Sequence, residues 1–315
     1  MLKVGLIGCG FMGTMHANCW KALAERAEVV AVADVRPEKA EELAAIFDGN
    51  VKIYGDGADL IANEKLDVID VCLPTFLHEK YSVMAMKAGS NVFVEKPMCR
   101  TKEEAANMVK VQKETGKILQ VGQVIRFWDE YEWLKNVKES GTYGKLLSAT
   151  FKRQSPRPAW GWENWLHKPE MSGGMALDLH VHDIDYIRYL LGEPKEIKVT
   201  GCEEAPGLTE YIMSSYVYDD VVATAEGCWN FPDEFPFSMI FCVRFEKATV
   251  YHDSARGEFI VYFANGGKFT PEIQKEFEGS AGSGNISSLG GYYKELRYFT
   301  DLLKDPTLPQ IASVA

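Results

Sequence analysis

What this sequence lacks narrows the field first. Its seven cysteines, at 9, 19, 72, 99, 202, 228 and 242, are scattered and form no Cys-x-x-Cys pair. That excludes a disulfide framework and the usual thiolate metal motifs, and it implies reduced thiols in a cytoplasmic protein. Positive charge is in deficit: 34 Lys and Arg stand against 45 Asp and Glu, a net charge of -11. Nucleic-acid binders need a basic face to displace counterions, so no nucleic-acid partner is expected. No apolar run approaches the ~18–20 residues of a membrane span, so no membrane partner is expected either. The opening Met1-Leu2-Lys3-Val4-Gly5-Leu6-Ile7 meets glycines too early to read as a secretory signal. No internal repeat is visible. At 315 residues, 46% hydrophobic and 25% charged, the chain has the size for two domains and a large core.

What is present begins with Gly8-Cys9-Gly10-Phe11-Met12-Gly13, between the hydrophobic strand 3–8 and a helical stretch reaching about Arg26. The first glycine makes a tight turn, the second lets a pyrophosphate approach, and the third packs helix on strand. The helix N-terminus adds N–H groups and a positive dipole end. A second strand, 29–33, ends in Asp34, at the spacing expected of a carboxylate on the adenosine ribose. Asp34 favours NAD, because a 2′-phosphate would meet like charge. Arg36 is either an acceptor of that phosphate, which keeps NADP open, or a solvated residue before Pro37.

Strand-helix alternation continues through helix 37–47, strand 52–54, helix 57–63, strand 68–73, helix 78–88, strand 91–94, helix 102–115 and strand 118–121. That pattern predicts a parallel doubly wound sheet, an α/β Rossmann domain over residues 1–122. Ligands bind beyond the carboxyl ends of such strands. Two tips there carry unusual residues: Leu73-Pro74-Thr75 with His78, and Glu95-Lys96-Pro97. A lysine leaving a buried strand between a carboxylate and a rigid proline is held in one direction, as a group that touches a reacting oxygen must be. The candidate cofactor contacts are Gly8, Gly10, Phe11, Met12, Gly13, Asp34, Arg36, Leu73, Pro74, Thr75, His78, Glu95, Lys96 and Gln123. For His78, a helix-end residue without chemistry is the competing reading.

Beyond Gly122 the pattern changes to runs of strands, at 146–154, 196–201, 211–218, 221–229, 238–245 and 259–264. Consecutive strands predict an α+β domain with a large open, mainly antiparallel sheet over 123–290. Its surplus of aromatic and β-branched residues implies a homodimer or homotetramer. Residues 279–284 read as a Gly/Ser-rich loop. A final segment, 291–315, predicts a helix with Tyr293, Leu296, Phe299 and Leu303 on one face, returning to the first domain.

One segment stands apart. A helix is predicted from near Gly174 to Leu191, closed by Gly192 and Pro194. On it Asp178, His182 and Asp185 fall at i, i+4 and i+7, one polar stripe. An Asp one turn before a His can orient the imidazole and raise its basicity, as a general base requires. A satisfied structural histidine is the alternative. His180, His182 and Asp183 do not suit a metal, because i,i+2 histidines diverge on a helix.

These motifs, in this order, resemble the glucose–fructose oxidoreductase/inositol dehydrogenase/rhizopine catabolism (Gfo/Idh/MocA) family over nearly the whole length. The resemblance implies pyridine-nucleotide-linked oxidation of a secondary alcohol on a sugar, cyclitol or related polyol. It puts the catalytic lysine on Lys96, the substrate-orienting aspartate on Asp178 and the acid/base histidine on His182. Arg126 and Trp165 join these three as candidate substrate contacts. His180 departs from the small or aliphatic residue usual there, and residues 152–157 depart from typical myo-inositol 2-dehydrogenases, so that substrate is not carried over. Two other readings stay open: a nucleotide-binding sensor or co-regulator without turnover, and an NAD-assisted glycosidase.

Overall fold

The computed structural model describes residues 1–205, 207–273, 275–277, 279, 289–309 and 311–312. They fall into two compact units, Met1–Phe127 with Glu276–Ala315, and Trp128–Lys275. Of the Gly/Ser-rich stretch 279–284, only Gly279 lies among the described residues.

In the first unit the chain runs β1 (Leu2–Ile7), α1 (Phe11–Ala22), β2 (Ala27–Ala33), α2 (Pro37–Ala44), β3 (Lys52–Tyr54), α3 (Gly57–Asn63), β4 (Val68–Val71), α4 (His78–Lys87), β5 (Asn91–Glu95), α5 (Lys102–Thr115) and β6 (Leu119–Gly122). The strands form one parallel sheet in the order β3-β2-β1-β4-β5-β6. Every residue of β4 is buried, as are Val92 to Glu95 of β5. Such unbroken burial follows from helices covering both faces. The strand order reverses between β1 and β4, the kind of switch point beyond whose strand ends open α/β sheets bind their ligands.

The second unit contains α6 (Asp129–Ser140), β7 (Leu146–Pro156), α7 (Pro169–Ser172), a π turn at Ala176–His180, and α8 (Val181–Leu191). Seven strands follow: β8 (Glu196–Ala205), β9 (Leu208–Val217), β10 (Val222–Phe231), β11 (Ser238–Phe245), β12 (Ala248–Asp253), β13 (Glu258–Phe263) and β14 (Lys268–Phe269). The eight-stranded sheet has the order β14-β13-β12-β11-β7-β10-β9-β8, and only β7 with β10 pairs in parallel. Side chains alternate with period two. Ala149, Phe151 and Arg153, with Ala223, Ala225, Gly227 and Trp229, face inward; Lys152, Gln154 and Glu226 face out. Tyr131 of α6 packs edge-on against Tyr186 of α8 and Phe241 of β11, with ring centroids 4.8 and 5.1 Å apart.

The short α7 and β14 were not read from the sequence, and neither were β12 and α6. β12 puts His252 and Asp253 at buried positions, so its apolar alternation is broken. α6 buries only Tyr131, Leu134 and Val137 in an otherwise charged segment.

The last helix, α9 (Gly290–Lys304), belongs to the first unit and packs on α1. Its buried face differs from the predicted one: Tyr292, Glu295, Leu296, Phe299 and Leu302 point inward. Tyr293 instead stacks on Phe277 with centroids 4.5 Å apart. The inward rotation brings Phe299 edge-on to Phe93 of β5, and sets Tyr292 at a tilt beside His16 of α1. It also buries a carboxylate, Glu295.

Candidate functional site

In the first unit the glycine loop has the geometry its sequence implies. Gly8 has φ +98, and a Cβ there would lie 2.4 Å from the Cys72 carbonyl oxygen. A Cβ on Gly13 would lie 2.0 Å from the Gly8 carbonyl oxygen, so neither position admits a side chain. Gly10 differs. Only an Arg36 nitrogen, 3.8 Å off, comes within 4 Å of a Cβ built there. That open space lies at the first turn of α1, whose N-cap has no side-chain cap. Uncapped N–H groups at a helix start suit a phosphate, so Gly8, Gly10, Phe11, Met12 and Gly13 fit the pyrophosphate of a dinucleotide.

Asp34 directly follows β2 and is almost fully buried. Its Oδ2 accepts the Cys9 N–H at 2.8 Å and Arg36 Nη2 at 3.1 Å, while Oδ1 accepts the Arg36 N–H at 2.9 Å and Nε at 3.0 Å. Burial alone would raise the carboxyl pKa, but the Arg36 and Cys9 hydrogen bonds hold it below its usual value. Arg36 is therefore a bidentate partner of Asp34 rather than a solvated turn residue. Its guanidinium masks the negative charge that the sequence reading relied on.

At the next tips, Leu73 and Pro74 are half-buried and Thr75 is buried. His78 lies wholly inside, one ring nitrogen 2.8 Å from the Pro97 carbonyl and the other 2.7 Å from that of Leu73. Burial lowers its pKa, against the pull of the two carbonyls. This histidine ties the tip after β4 to the tip after β5 instead of turning a nitrogen to a cofactor. The Lys96–Pro97 bond is cis. Glu95 is buried and Lys96 half-buried, with the Lys96 N–H donating to Glu95 Oε2 at 3.1 Å. Gln123 is half-buried just past β6. Arg126 donates to the Ile311 carbonyl, so part of its guanidinium serves the C-terminal segment.

In the second unit the predicted helix is interrupted. Gly173 and Gly174 have φ +77 and +66, a π turn follows at Ala176–His180, and α8 begins at Val181. π turns recur at functional sites because one widened turn re-aims side chains. Asp178, His182 and Asp185 are all half-buried, whereas Leu179, His180, Asp183, Tyr186 and Ile187 are buried. The stripe read from the sequence is thus the more open side of this element. His180 belongs to the other side: its Nε2 meets Ser214 Oγ at 2.9 Å, and the ring lies over Gly227, where a Cβ would be 2.8 Å from Nδ1. It packs on the sheet. Asp183, next to His182, forms a bidentate pair with Arg153, at 2.9 and 3.2 Å, both side chains essentially unexposed. That pair fixes the rotation of α8 and with it the direction of His182.

Trp165 is half-buried in a turn where Glu163 and Asn164 both adopt left-handed backbone, φ 47 and 54. For non-glycine residues this costs roughly 1 kcal/mol or more each. Ser172 Oγ donates to the Leu166 carbonyl at 2.9 Å, linking this turn to the start of the Asp178–His182 element.

Residues 2–123 match the model of an oxidoreductase family with an NAD-binding Rossmann fold, and residues 131–251 match the GFO/IDH/MocA C-terminal domain. The chain belongs to the Gfo/Idh/MocA family. NAD is thereby the cofactor of the family's first domain, as Asp34 suggested. Among relatives, myo-inositol 2-dehydrogenase of Thermotoga maritima is 33% identical over 197 residues, 62% of this chain and 56% of that protein. The 2,7-anhydro-N-acetylneuraminate hydratase of Escherichia coli is 30% identical over 209 residues, 64% of this chain and 53% of that protein. The chain spans about half the length of these curated relatives. The fold is shared with levoglucosan dehydrogenase in complex with NADH and levoglucosan, at TM-score 0.79 and 23% identity, covering 96% of this chain and 89% of that one. An oxidoreductase from Agrobacterium radiobacter, in complex with NAD+, L-tartaric acid and magnesium, superposes with TM-score 0.82 at 21% identity, over 97% of this chain and 89% of that one.

Proposed function

We propose that this protein is an NAD-dependent oxidoreductase for a secondary alcohol of a sugar, cyclitol or related polyol. The carrying observation is the joint presence of Lys96 at the β5 tip and of Asp178 and His182 on the open side of their element, in a chain of this family. Oxidising an alcohol removes a proton from oxygen and a hydride from carbon. When bound, NAD supplies the hydride acceptor. His182 accepts the hydroxyl proton on an imidazole nitrogen, and the Lys96 ammonium stabilises the oxygen as negative charge develops. Asp178 orients the substrate hydroxyl and supports His182. Arg126 and Trp165 are the outer substrate contacts.

Screening inositols, aldoses, ketoses and anhydrosugars with NAD and NADP in parallel tests this reading. At least one polyol is expected to reduce NAD, with NAD favoured over NADP by roughly tenfold, the ratio given by ~1.4 kcal/mol. Arg36→Ala should widen that preference by a further factor of about ten, because it unmasks Asp34 and frees its oxygens for the ribose. Unchanged selectivity in Arg36→Ala would refute the masking argument, and no cofactor reduction with any polyol would refute the function.

A second reading rests on the hydratase among the relatives. In a reaction without net redox change, hydride is lent and returned, so product forms with no accumulation of reduced cofactor. The NAD-assisted glycosidase is of this kind.

We further propose at least a homodimer through the outer face of the eight-stranded sheet. Met213, Val222 and Tyr262, on the face opposite the inward-pointing Ala223, Ala225 and Val261, are between 41% and 48% exposed on β9, β10 and β13, and apolar exposure on this scale marks interfaces. Light scattering at micromolar concentration should give at least twice the 35.3 kDa chain mass; a monomer there would remove the proposal. A cytoplasmic location agrees with seven scattered thiols, none of them disulfide-bonded.

A further inference from the structure

Beneath the glycine loop lies a buried charge cluster that the mechanism above does not use. His16, on α1, is fully buried with carboxylates at both ring nitrogens. Nδ1 lies 3.0 and 3.1 Å from the two oxygens of Asp70 on β4, and Nε2 lies 2.9 Å from Glu95 Oε1 at the end of β5. A neutral imidazole donates from one nitrogen only, and its other nitrogen would turn a lone pair on a carboxylate. The ring therefore carries both protons. Asp70 also accepts Trp20 Nε1 at 2.7 Å. The other oxygen of Glu95 accepts the Lys96 N–H. One chain of contacts thus runs from the helix behind the glycine loop to the residue that bears the Lys96 ammonium.

The cluster is sealed by α9. Glu295 is wholly buried, an oxygen of it lies within 4.8 Å of ligand atoms of both His16 and Glu95, and neither of its oxygens has a hydrogen-bond partner among the described residues. An ionised Glu295 there would stand unpaired against Glu95, whereas the neutral acid avoids that cost. We infer that His16, held as an imidazolium between Asp70 and Glu95, is a positioning residue for Lys96, and that Glu295 is the neutral carboxylic acid that closes the cluster. This rests on the proposed role of Lys96.

The groups facing His16 are Asp70 and Cys72 from β4 and the residue just past it, Glu95 from β5, Tyr292 and Glu295 from α9, and Cys19 on its own helix. Burial by itself would lower the His16 pKa, but Asp70, with Cys72, lifts it well above its ordinary value. Burial, then the charge of Glu95, raises Glu295 far above the usual carboxyl range. Two carboxylates against one imidazolium leave a single negative charge. Without the imidazolium, Glu95 Oε1 is left buried without its charge partner, and the Lys96 N–H loses a fixed acceptor.

The test uses the full chain with a polyol that it oxidises. His16→Gln should lower kcat about tenfold or more, while KM for the polyol and Kd for NAD stay within about threefold, the pattern of a group felt only in the transition state. Glu295→Gln, the neutral isostere, should keep kcat within about twofold. Histidine nitrogen NMR supplies a readout independent of turnover: one imidazole that stays protonated on both nitrogens at a pH where an ordinary histidine is neutral, absent in His16→Gln. If His16→Gln fails to fold, Glu95→Gln replaces it, with a lowered kcat and a lowered His16 pKa expected.

A neutral His16 at pH 7, an unaltered kcat in the foldable variant, or an equal loss in Glu295→Gln would overturn the inference. So would a stoichiometric divalent metal in the purified protein, since His16, Glu95 and Glu295 are close enough to share one. If wild type oxidises no polyol yet the NMR signature is present, the proposed function fails and the imidazolium brace stands.

Discussion

Lys96→Met is expected to lower turnover by on the order of 10²–10³ with NAD still bound, and His182→Asn by ~10²–10⁴. Methionine keeps the length of the lysine stem and removes the charge that meets the developing oxyanion. Asparagine keeps polarity near the imidazole position but cannot accept the proton, so the alkaline rise of the pH–rate profile should flatten. Asp178→Asn should weaken binding and turnover together, because orientation and proton transfer both pass through it. The three losses should combine less than additively, since residues that act as a unit each abolish the same step. A purely structural role predicts a different outcome: less folded protein, with near-normal activity per folded molecule. Initial rates normalised to NAD-binding sites separate the two. If Lys96→Met and His182→Asn each retained more than about a third of wild-type turnover, neither would be an essential group.

Asp183→Ala should cost about 3–5 kcal/mol of stability, measured by urea unfolding. The cause is not the lost attraction alone. Arg153 and Asp183 are both essentially unexposed, and removing one leaves a guanidinium without its counterion inside the sheet. The paired variant Arg153→Met with Asp183→Leu should recover most of that loss, because well-packed apolar residues replace a buried ion pair at little or no cost. Its turnover should remain low. The ion pair also sets the rotation of α8, and His182 is the neighbouring residue. Full recovery of both stability and turnover would show that packing alone aims His182.

The parts of the site legible in the sequence are those whose chemistry is local. Gly8, Gly10, Gly13 and Asp34 could be read because turn geometry, phosphate approach and ribose contact each require one residue type at a fixed spacing. Lys96 and the Asp178–His182 stripe were legible through order along the chain and helical spacing. What escaped depends on tertiary contacts. His16 and Glu95 are 79 residues apart and meet because His16, on α1, faces the sheet where the neighbouring β4 and β5 present Asp70 and Glu95. A buried histidine three residues past the last fingerprint glycine was the available signal. The Arg36–Asp34 pair depends on side-chain direction, which spacing does not specify. The π turn has no sequence pattern of its own; it arises where His180 must pack on Gly227 while Asp183 reaches Arg153. The buried face of α9 turned inward from the predicted one because Glu295 sits on it, and a carboxylate reads as a solvent-facing residue.

The most direct test of the proposed hydride transfer follows the atom itself. A polyol found by the screen, carrying deuterium on the reacting carbon, is incubated with the protein and NAD, and both cofactor and product are analysed by mass spectrometry. One deuterium is expected in the reduced cofactor for each ketone formed, with a primary isotope effect on turnover in wild type. Ketone formed with no deuterium in the cofactor, or product formed with the label still on its original carbon and no reduced cofactor at any stage, would contradict the proposed hydride transfer.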